Sequence, residues 1–420
     1  MSPFFIYQTR QERTLELPDP PRPLAPHPSS AMSFSSLPPE LVADILDTFV
    51  QTYPSHAQRV PNLASISLVN RTLNALAQPL LYRNVYLDST RRTQLLNALE
   101  NTTLASHVRT LTLSGGMLDA EEFVRMKQVL KGCTGVRSLT YLCFDQVMLP
   151  DLTDFIAETW PTTLRYLRAD QKDGLYDLLS RLPELETLIA SYIEFPAVVP
   201  TPSRSSTPPP TSAPGVPVRP TFRLKRLDSG SSPSSAHFHL LTSSSSTSLQ
   251  TLDLPISSRS PSQDLSSFAS LHSLTLTLCE RYIPHDLDPR PHGAPSPGRD
   301  DAWCLRRVKR VLERAREADL PLRYLEIFEP SYAPTRAFDA HSFEDTDVLD
   351  AVPPSVRELD LATVDVAVEY VVRKLGPADE NEQGPLCCAG LRRIVLKRQA
   401  GGAKEVKEAL DKRGIEVRWA

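Results

Sequence analysis

Glycine and cysteine are scarce in this chain of 420 residues, which contains 15 Gly and 6 Cys. Phosphate-binding loops need closely spaced glycines, and neither a G-x-x-x-x-G-K-[ST] nor a G-x-G-x-x-G pattern occurs. The cysteines lack the spacing of zinc ligands, and the adjacent pair Cys387 and Cys388 suits neither an ordinary disulfide nor a zinc knuckle. We therefore expect reduced thiols, no metal site and no cofactor.

An excess of charge of one sign is also missing, as are long apolar runs. The formal net charge is −4, from 46 basic and 50 acidic residues, which gives no electrostatic footprint for nucleic acid or an anionic membrane. No apolar stretch approaches the roughly 20 residues that span a bilayer, and no signal peptide is evident. We expect a soluble protein, cytoplasmic or nuclear, without a nucleic-acid or membrane partner.

Catalytic motifs are absent from the sequence as well. It contains no G-x-S-x-G, no H-E-x-x-H and no paired C-x-x-C motif. His237 and His239 would share one face of a strand and could form a metal pair. They lie in a Ser-rich region without an obvious third ligand, so an incidental pair is the favoured interpretation. We expect a protein without enzymatic activity of its own.

Proline, by contrast, is abundant, with 39 residues concentrated in low-complexity segments. Residues 1–32 are Pro-rich and have little that could form a core, which predicts a disordered leader. Pro- and Ser-rich segments at about 196–220, 229–247 and 284–300 predict disordered inserts. Two segments then remain for folded structure, 33–87 and 88–420.

Segment 88–420 is organised by a six-residue pattern, apolar-x-x-apolar-x-apolar, which occurs ten times, once in partial form. Its fourth position, here named the anchor, is held by Leu111, Leu139, Leu167, Leu188, Leu227, Leu252, Leu274, Leu325, Leu359 and Ile394. The regular steps between anchors are 28, 28, 21, 25 and 22 residues, within the period of about 20–29 that is typical of leucine-rich repeats. The longer steps from Leu188 to Leu227 and from Leu274 to Leu325 coincide with inserts, where repeat arrays tolerate extra chain. Scattered strands of an ordinary α/β domain would not explain so many returns of one pattern.

Amphipathic stretches between the strands predict helices. Asp119 has the position of an N-cap, with Glu122 at capping-box spacing. Apolar periodicity predicts further helices at 303–318, 364–375 and 403–412, and a last strand at 415–419.

The segment 33–87 contains three short blocks in a fixed order. Leu-Pro-Pro-Glu-Leu stands at 37–41, Ser-Leu-Val-Asn-Arg at 67–71, and Pro-Leu-Leu-Tyr-Arg-Asn-Val-Tyr-Leu at 79–87. Proline suits the first turn of a helix, and Glu40 suits the positive end of the helix dipole. Leu41, Ile45 and Phe49 follow as one apolar stripe, with Val42 and Leu46 beside it.

Together these blocks resemble the F-box in its fungal form, over roughly fifty residues. The resemblance implies that 33–87 binds the Skp-type adaptor of a cullin-RING (SCF-type) ubiquitin ligase, and through it the cullin. By match to the family, the adaptor-facing residues are Leu37, Pro38, Leu41, Ile45, Leu46, Leu63 and Val69. The chain departs from the family at Leu73, where a tryptophan is common.

The repeats would then hold the target protein. Residues on either side of an anchor face outward from the concave side of the sheet. Candidate target-binding residues among them are Tyr166, Arg168, Tyr324, Glu326, Glu358 and Asp360. The last four form an acidic stretch with an aromatic side chain, which suits a basic target segment. A plain solvated sheet face is the alternative.

The sequence therefore predicts an α/β fold: a short three-helix F-box, then an irregular leucine-rich-repeat solenoid of strands and helices with disordered Pro/Ser-rich inserts. The function that follows is a non-catalytic, substrate-recognition subunit of a ubiquitin ligase, with an unidentified protein as substrate. A leucine-rich-repeat interaction scaffold without a ligase role is the alternative, which the departure at Leu73 favours. The three helices would then serve as a cap on the array.

Overall fold

The structure is a computed structural model that describes residues 37–52, 56–116, 118–170, 174–191, 193, 220–230, 235–256, 263–278, 301–330, 340–376, 388–398 and 402–420. It divides into two compact units, Met1–Pro54 and Ser55–Ala420. The division falls inside the module predicted at 33–87. The predicted leader 1–32 and insert 284–300 lie outside the described residues, as does the insert at 196–220 up to its last residue.

The described part of the first unit is one helix, α1, at Pro39–Thr52. Its first turn contains Pro39 and Glu40, as the sequence predicts, and the Val42 N–H donates to the Pro38 carbonyl at 3.2 Å. No Gly or β-branched run interrupts the helix. Val42 and Leu46, one turn apart, are its buried apolar side chains.

The second unit begins with two helices that pack on each other, α2 at His56–Ser67 and α3 at Arg71–Leu81. They are separated by a tight turn because Asn70 caps α3, its side-chain oxygen accepting the Leu73 N–H at 2.8 Å. Leu63 and Leu73 are buried. Leu73, the residue that departs from the family pattern, therefore has a core position.

One sheet of twelve parallel strands follows, and each strand pairs with the next along the chain. The strands are β1 Asn84–Leu87, β2 Thr110–Ser114, β3 Ser138–Leu142, β4 Tyr166–Ala169, β5 Thr187–Ala190, β6 Arg226–Ser229, β7 Thr251–Ile256, β8 Ser273–Leu278, β9 Tyr324–Phe328, β10 Glu358–Leu361, β11 Arg393–Leu396 and β12 Glu416–Trp419. All ten predicted repeat strands are present, and β1 and β12 extend the sheet at its two ends.

The anchors stack in register across this sheet. Leu111 pairs with Leu139 and Leu139 with Leu167, and the same row continues to Leu359 and Ile394. All ten anchors are fully buried and belong to one continuous apolar core. Burying a leucine side chain contributes about 2 kcal/mol, so this row is a main source of the stability of the array.

Helices connect the strands and cover the anchor side of the sheet. They are α4 Arg92–Leu99, α5 Thr102–Ala105, α6 Ala120–Leu130, α7 Leu149–Thr159, α8 Leu175–Ser180, α9 Ser235–Thr242, α10 Asp301–Glu317, α11 Ala340–Thr346, α12 Val368–Leu375 and α13 Ala403–Asp411. Asp119 caps α6 by accepting the Glu122 N–H at 2.7 Å, which confirms the predicted helix start.

A leucine-rich-repeat array with an α/β fold is therefore the architecture of the second unit. Within the described residues, no helix is long and apolar enough to cross a membrane.

The prediction of a disordered insert at 229–247 is wrong for most of that segment. Ser229 ends β6, α9 occupies Ser235–Thr242, and a 3-10 helix follows at Ser243–Ser245. Phe238 and Leu241 of α9 are buried in the core. The serines satisfy backbone groups of the neighbouring segment, because the Ser245 hydroxyl accepts the Leu224 N–H at 2.8 Å.

The predicted geometry of the histidine pair is also wrong. His237 and His239 belong to a helix and not to a strand. Among the described residues, no group of three metal-ligating side chains could hold a metal ion.

Candidate protein-interaction surfaces

Helix α1 presents two large apolar side chains to solvent. Leu41 is 50% exposed and Ile45 is 45% exposed, although Val42 and Leu46 on the same helix are buried. Leu41 and Ile45 are four residues apart, so they lie on one face, one above the other. Pro38 is exposed and Leu37 is partly exposed just before the helix. Large apolar side chains grouped in this way are typical of a surface that another protein covers.

The turn between α2 and α3 carries a second exposed apolar pair. Leu68 is 87% exposed and Val69 is 69% exposed. The turn is fixed by backbone bonds from the N–H groups of both residues to Ser65 and Ile66, and by the Asn70 cap of α3. Because its backbone groups are satisfied locally, the turn holds these side chains outward. Leu68 was not among the predicted adaptor-facing residues, although it lies inside the matched block 67–71.

Two of the predicted adaptor-facing residues are not at the surface. Leu46 and Leu63 are buried, so neither side chain is available to a partner in this structure. The apolar periodicity of α1 marks two adjacent stripes of apolar side chains. Packing decides which of the two stripes is buried. Leu37, Pro38, Leu41, Ile45 and Val69 retain at least partial exposure.

The sheet face opposite the anchors carries acidic side chains in one register row. Asp228 pairs with Asp253, Asp253 with Thr275, Thr275 with Glu326, and Glu326 with Asp360. We name the four carboxylates Asp228, Asp253, Glu326 and Asp360 the acidic row. Neighbouring strands are about 4.8 Å apart, so these like charges repel one another across the sheet.

Hydroxyl groups donate hydrogen bonds to the acidic row. Thr277 Oγ1 lies 2.9 Å from Asp253 Oδ1, and Thr275 Oγ1 lies 3.2 Å from Glu326 Oε2. The Tyr324 hydroxyl lies 3.3 Å from Glu326 Oε2 and 3.4 Å from Asp360 Oδ2, so its single proton serves one carboxylate at a time.

Burial and mutual repulsion shift the pKa values of these groups. The pKa of Asp253 is raised to about 7, mainly by burial and then by the charge of Asp228. Burial also raises the pKa of Glu326, with Asp360 adding to the effect. The pKa of Asp228 is raised by burial, although Arg226 and Arg168 oppose the shift. The pKa of Tyr324 rises by burial and by the neighbouring carboxylates. A nearby cation would reverse these shifts, because it stabilises the ionised carboxylates.

The structure brings together only some of the predicted target-binding residues. Tyr324, Glu326 and Asp360 form one hydrogen-bonded group. Glu358 instead pairs with Arg393, at 3.2 Å. Tyr166 and Arg168 lie on β4, five strands from β9.

Sequence analysis placed Asp228 and Asp253 on the outward face of the sheet but did not select them as target-binding residues. They hold the position directly after the anchor, as Glu326 and Asp360 do. No ion pair to these four carboxylates occurs in the part of the chain that the structure describes.

Comparisons with known proteins give matches among solved structures alone. No family model matches the chain, and no curated protein matches it. The leucine-rich-repeat protein LegL7 from Legionella pneumophila aligns with 80% of this chain and 89% of its own, at 14% identity and a TM-score of 0.42. The complex of Rad7 and Elc1 from yeast gives 90% and 85% coverage, 14% identity and a TM-score of 0.31. The complex of TLR13 with ssRNA13 gives 70% and 30% coverage, 14% identity and a TM-score of 0.26.

Proposed function

We propose that this chain is a substrate-recognition subunit of a cullin-RING ubiquitin ligase. The observation that carries the proposal is the exposed pair Leu41 and Ile45 on a helix whose first turn lies in the F-box-like sequence Leu-Pro-Pro-Glu-Leu. Two large apolar side chains that are half exposed to water add little to the stability of the helix. Burial against a partner would recover about 1–2 kcal/mol for each. A helical Skp-type adaptor is the partner that this sequence pattern implies.

The exposed turn between α2 and α3 supports the same role. Leu68 and Val69 belong to the matched block 67–71. Among the described residues of α1 to α3 and the turn between α2 and α3, they are the most exposed large apolar side chains. We therefore assign adaptor contact to Leu37, Pro38, Leu41, Ile45, Leu68 and Val69. Leu46 and Leu63 are buried instead, so their truncation would act through stability.

The repeat array would hold the target protein. The acidic row and Tyr324 line an open sheet face whose carboxylates have no ion-pair partner among the described residues. A target segment containing Arg or Lys would relieve the repulsion among these groups and lower their pKa values. The chain itself would perform no chemistry, because ubiquitin transfer belongs to other subunits. Its contribution would be proximity, which raises the effective concentration of the target.

An interaction scaffold without a ligase role is the second candidate function. Leu73 favours it, because this residue stands where the family commonly carries tryptophan and is buried in the α2–α3 pair. Under this alternative the repeats would still bind a protein, but the helices would only cover the end of the array.

Titration of purified Skp-type adaptor against the full chain tests the proposal. Leu41→Lys/Ile45→Lys places two charges on the exposed face of α1 without touching a buried residue. Val124→Lys/Val147→Lys is the matched control, because these two valines are also exposed large apolar residues. We expect tight binding by the wild type and the control, and a loss of about a hundredfold in the α1 variant.

Two results would contradict the proposal. One is a folded wild type that does not bind the adaptor, which would leave the scaffold alternative. The other is an equal loss of affinity in the α1 variant and in the control, since adaptor binding would then not depend on Leu41 and Ile45.

A further inference from the structure

A second charged feature, of opposite sign, lies at the edge of the sheet where the strands begin. Arg323, Arg357 and Arg392 directly precede β9, β10 and β11, each at the second position of the repeat pattern. We name them the arginine row. Their backbones are in register: the Arg357 N–H donates to the Arg323 carbonyl at 2.9 Å, and the Arg392 N–H to the Arg357 carbonyl at 2.8 Å.

The arginine row borders a groove with a volume of about 380 Å³. The turns before the strands form the rest of its wall, at Pro321, Pro354, Ser355 and Gly390. The Ser355 hydroxyl donates to the Leu320 carbonyl at 2.9 Å, which ties one turn to the next. A Cβ at Gly390 would lie 2.2 Å from the Pro354 oxygen, so glycine is needed for this close approach. The groove is therefore built on well-fixed backbone.

The three guanidinium groups lack partners in the part of the chain that the structure describes. No ion pair or side-chain hydrogen bond involves Arg323, Arg357 or Arg392 there, and all three side chains are exposed. Glu358 and Glu416, which begin β10 and β12, both bind Arg393, at 3.2 Å and 2.9 Å. Within the described residues, the groove thus has three cations that no anion neutralises.

We propose that the arginine row binds an extended, Asp- and Glu-rich segment of a partner protein. Adjacent strands place the three arginines about 4.8 Å apart along a line. Such a line of separate cations matches successive carboxylates of an extended chain, each of which can receive a bidentate pair of hydrogen bonds from a guanidinium. Single-stranded nucleic acid fits less well, because the described residues that line the groove include no aromatic side chain for base stacking.

This site is distinct from the surfaces of the proposed function. The acidic row lies on the open face of the sheet, whereas the arginine row lies at the edge where the strands begin. The binding of an acidic segment does not depend on an adaptor or a ligase. Its test can therefore succeed or fail independently of the adaptor titration.

Fluorescence anisotropy with the full-length chain tests the proposal. The probe is a short fluorescein-labelled peptide in which Asp and Glu alternate with Ser and Gly. Arg357→Gln/Arg392→Gln removes two charges from the groove, and Arg83→Gln/Arg137→Gln removes the same charge from exposed arginines outside it. We expect the groove variant to bind about tenfold more weakly, the control to bind as the wild type does, and salt to weaken binding. Urea unfolding of all three proteins establishes equal stability.

Three outcomes would overturn the inference. The first is a wild type that does not bind the acidic peptide, and the second is an equal loss in the groove variant and the control, which would indicate net charge alone. The third is tighter binding of a peptide with a single phosphoserine, or of single-stranded RNA, that the groove variant abolishes. That result would assign the groove to a different anion.

Discussion

Arg92 and Glu122 form an ion pair in which the Nη1 and Oε2 atoms are 2.8 Å apart, with the arginine side chain only 2% exposed. Arg92 begins α4, and Glu122 lies in the first turn of α6. The Nη2 atom of Arg92 also donates to the carbonyls of Ser114 and Gly116, at 3.0 Å and 2.9 Å. One guanidinium thus connects two helices to the chain that follows β2.

Replacing this arginine should destabilise the array strongly. Arg92→Met removes the cation and leaves two carbonyls and a carboxylate without their donor, so we expect a loss of about 2–4 kcal/mol. Arg125→Met is the control, because Arg125 forms an ion pair of 2.7 Å with Glu100 that is exposed to solvent. Its loss should be about 0–1 kcal/mol. Urea unfolding measures both, and equal losses would contradict the account.

The N-cap of α6 provides a second test of stability. Asp119→Ala removes the acceptor of the Glu122 N–H and should cost about 1 kcal/mol. Asp119→Asn retains an acceptor and should cost less, so the pair of variants separates capping from the loss of the side chain. Unfolding midpoints in urea provide the comparison. If Asp119→Asn were as unstable as Asp119→Ala, the helix dipole and not the cap would explain the effect.

The acidic row predicts an unusual dependence of stability on pH. The folded-state pKa of Asp253 is about 7, against an ordinary value of 3.8, because of burial and the charge of Asp228. The folded state therefore holds a proton that the unfolded chain releases, so this group makes the fold less stable as the pH rises from about 4 to about 7. Asp253→Asn should be more stable than the wild type at pH 8, by about 1–2 kcal/mol. The two proteins should be equal near pH 4.

Asp88 provides the control of opposite sign. Its pKa is lowered, chiefly by the hydrogen bond from the Thr90 hydroxyl. The carboxylate of Asp88 thus stabilises the fold above its unfolded pKa, and this stability is lost as the pH falls. Asp88→Asn should therefore be less stable than the wild type at pH 8 and approach it in acid. Chemical unfolding across pH measures both variants, and a gain at pH 8 from both would contradict the assignment.

The proposed target surface predicts that affinity and stability change in opposite directions. Glu326→Gln/Asp360→Asn removes two repelling charges and should leave the fold at least as stable as the wild type. The same variant should bind an Arg-rich peptide about tenfold more weakly, because the anions that would receive the arginines are lost. Calorimetric titration and urea unfolding test the two halves of this prediction. Unchanged affinity would remove the acidic row from target binding.

The sequence predicts the repeats well because one physical requirement recurs at each of them. A stacked parallel strand must bury its anchor, so a residue such as Leu325 is fixed by the core and recognisable by the six-residue pattern around it. The Ser-rich segment at 229–247 misled the prediction. Its composition is typical of disordered segments. The segment nevertheless belongs to the array, because Phe238 is buried and the Ser245 hydroxyl accepts the Leu224 N–H.

The candidate site could be predicted only in part. The motif around residue 41 predicts a helix, but packing decides that Leu46 is covered and Leu41 is exposed, and periodicity alone does not separate these two stripes. Which charged side chains become neighbours depends on the register of the strands. Asp253 and Glu326 are far apart in sequence and meet through β8, so each looks like an ordinary surface carboxylate until the strands are aligned.

Hydrogen–deuterium exchange of the full chain with purified Skp-type adaptor tests the central claim most directly. If the helical region is the adaptor-binding surface, the adaptor should slow exchange in α1, around Leu41 and Ile45, and in the turn at Leu68 and Val69. The strands β9–β11 should exchange at their unbound rates. Protection confined to the repeats, or no change anywhere in α1 and the turn at saturating adaptor, would contradict the account.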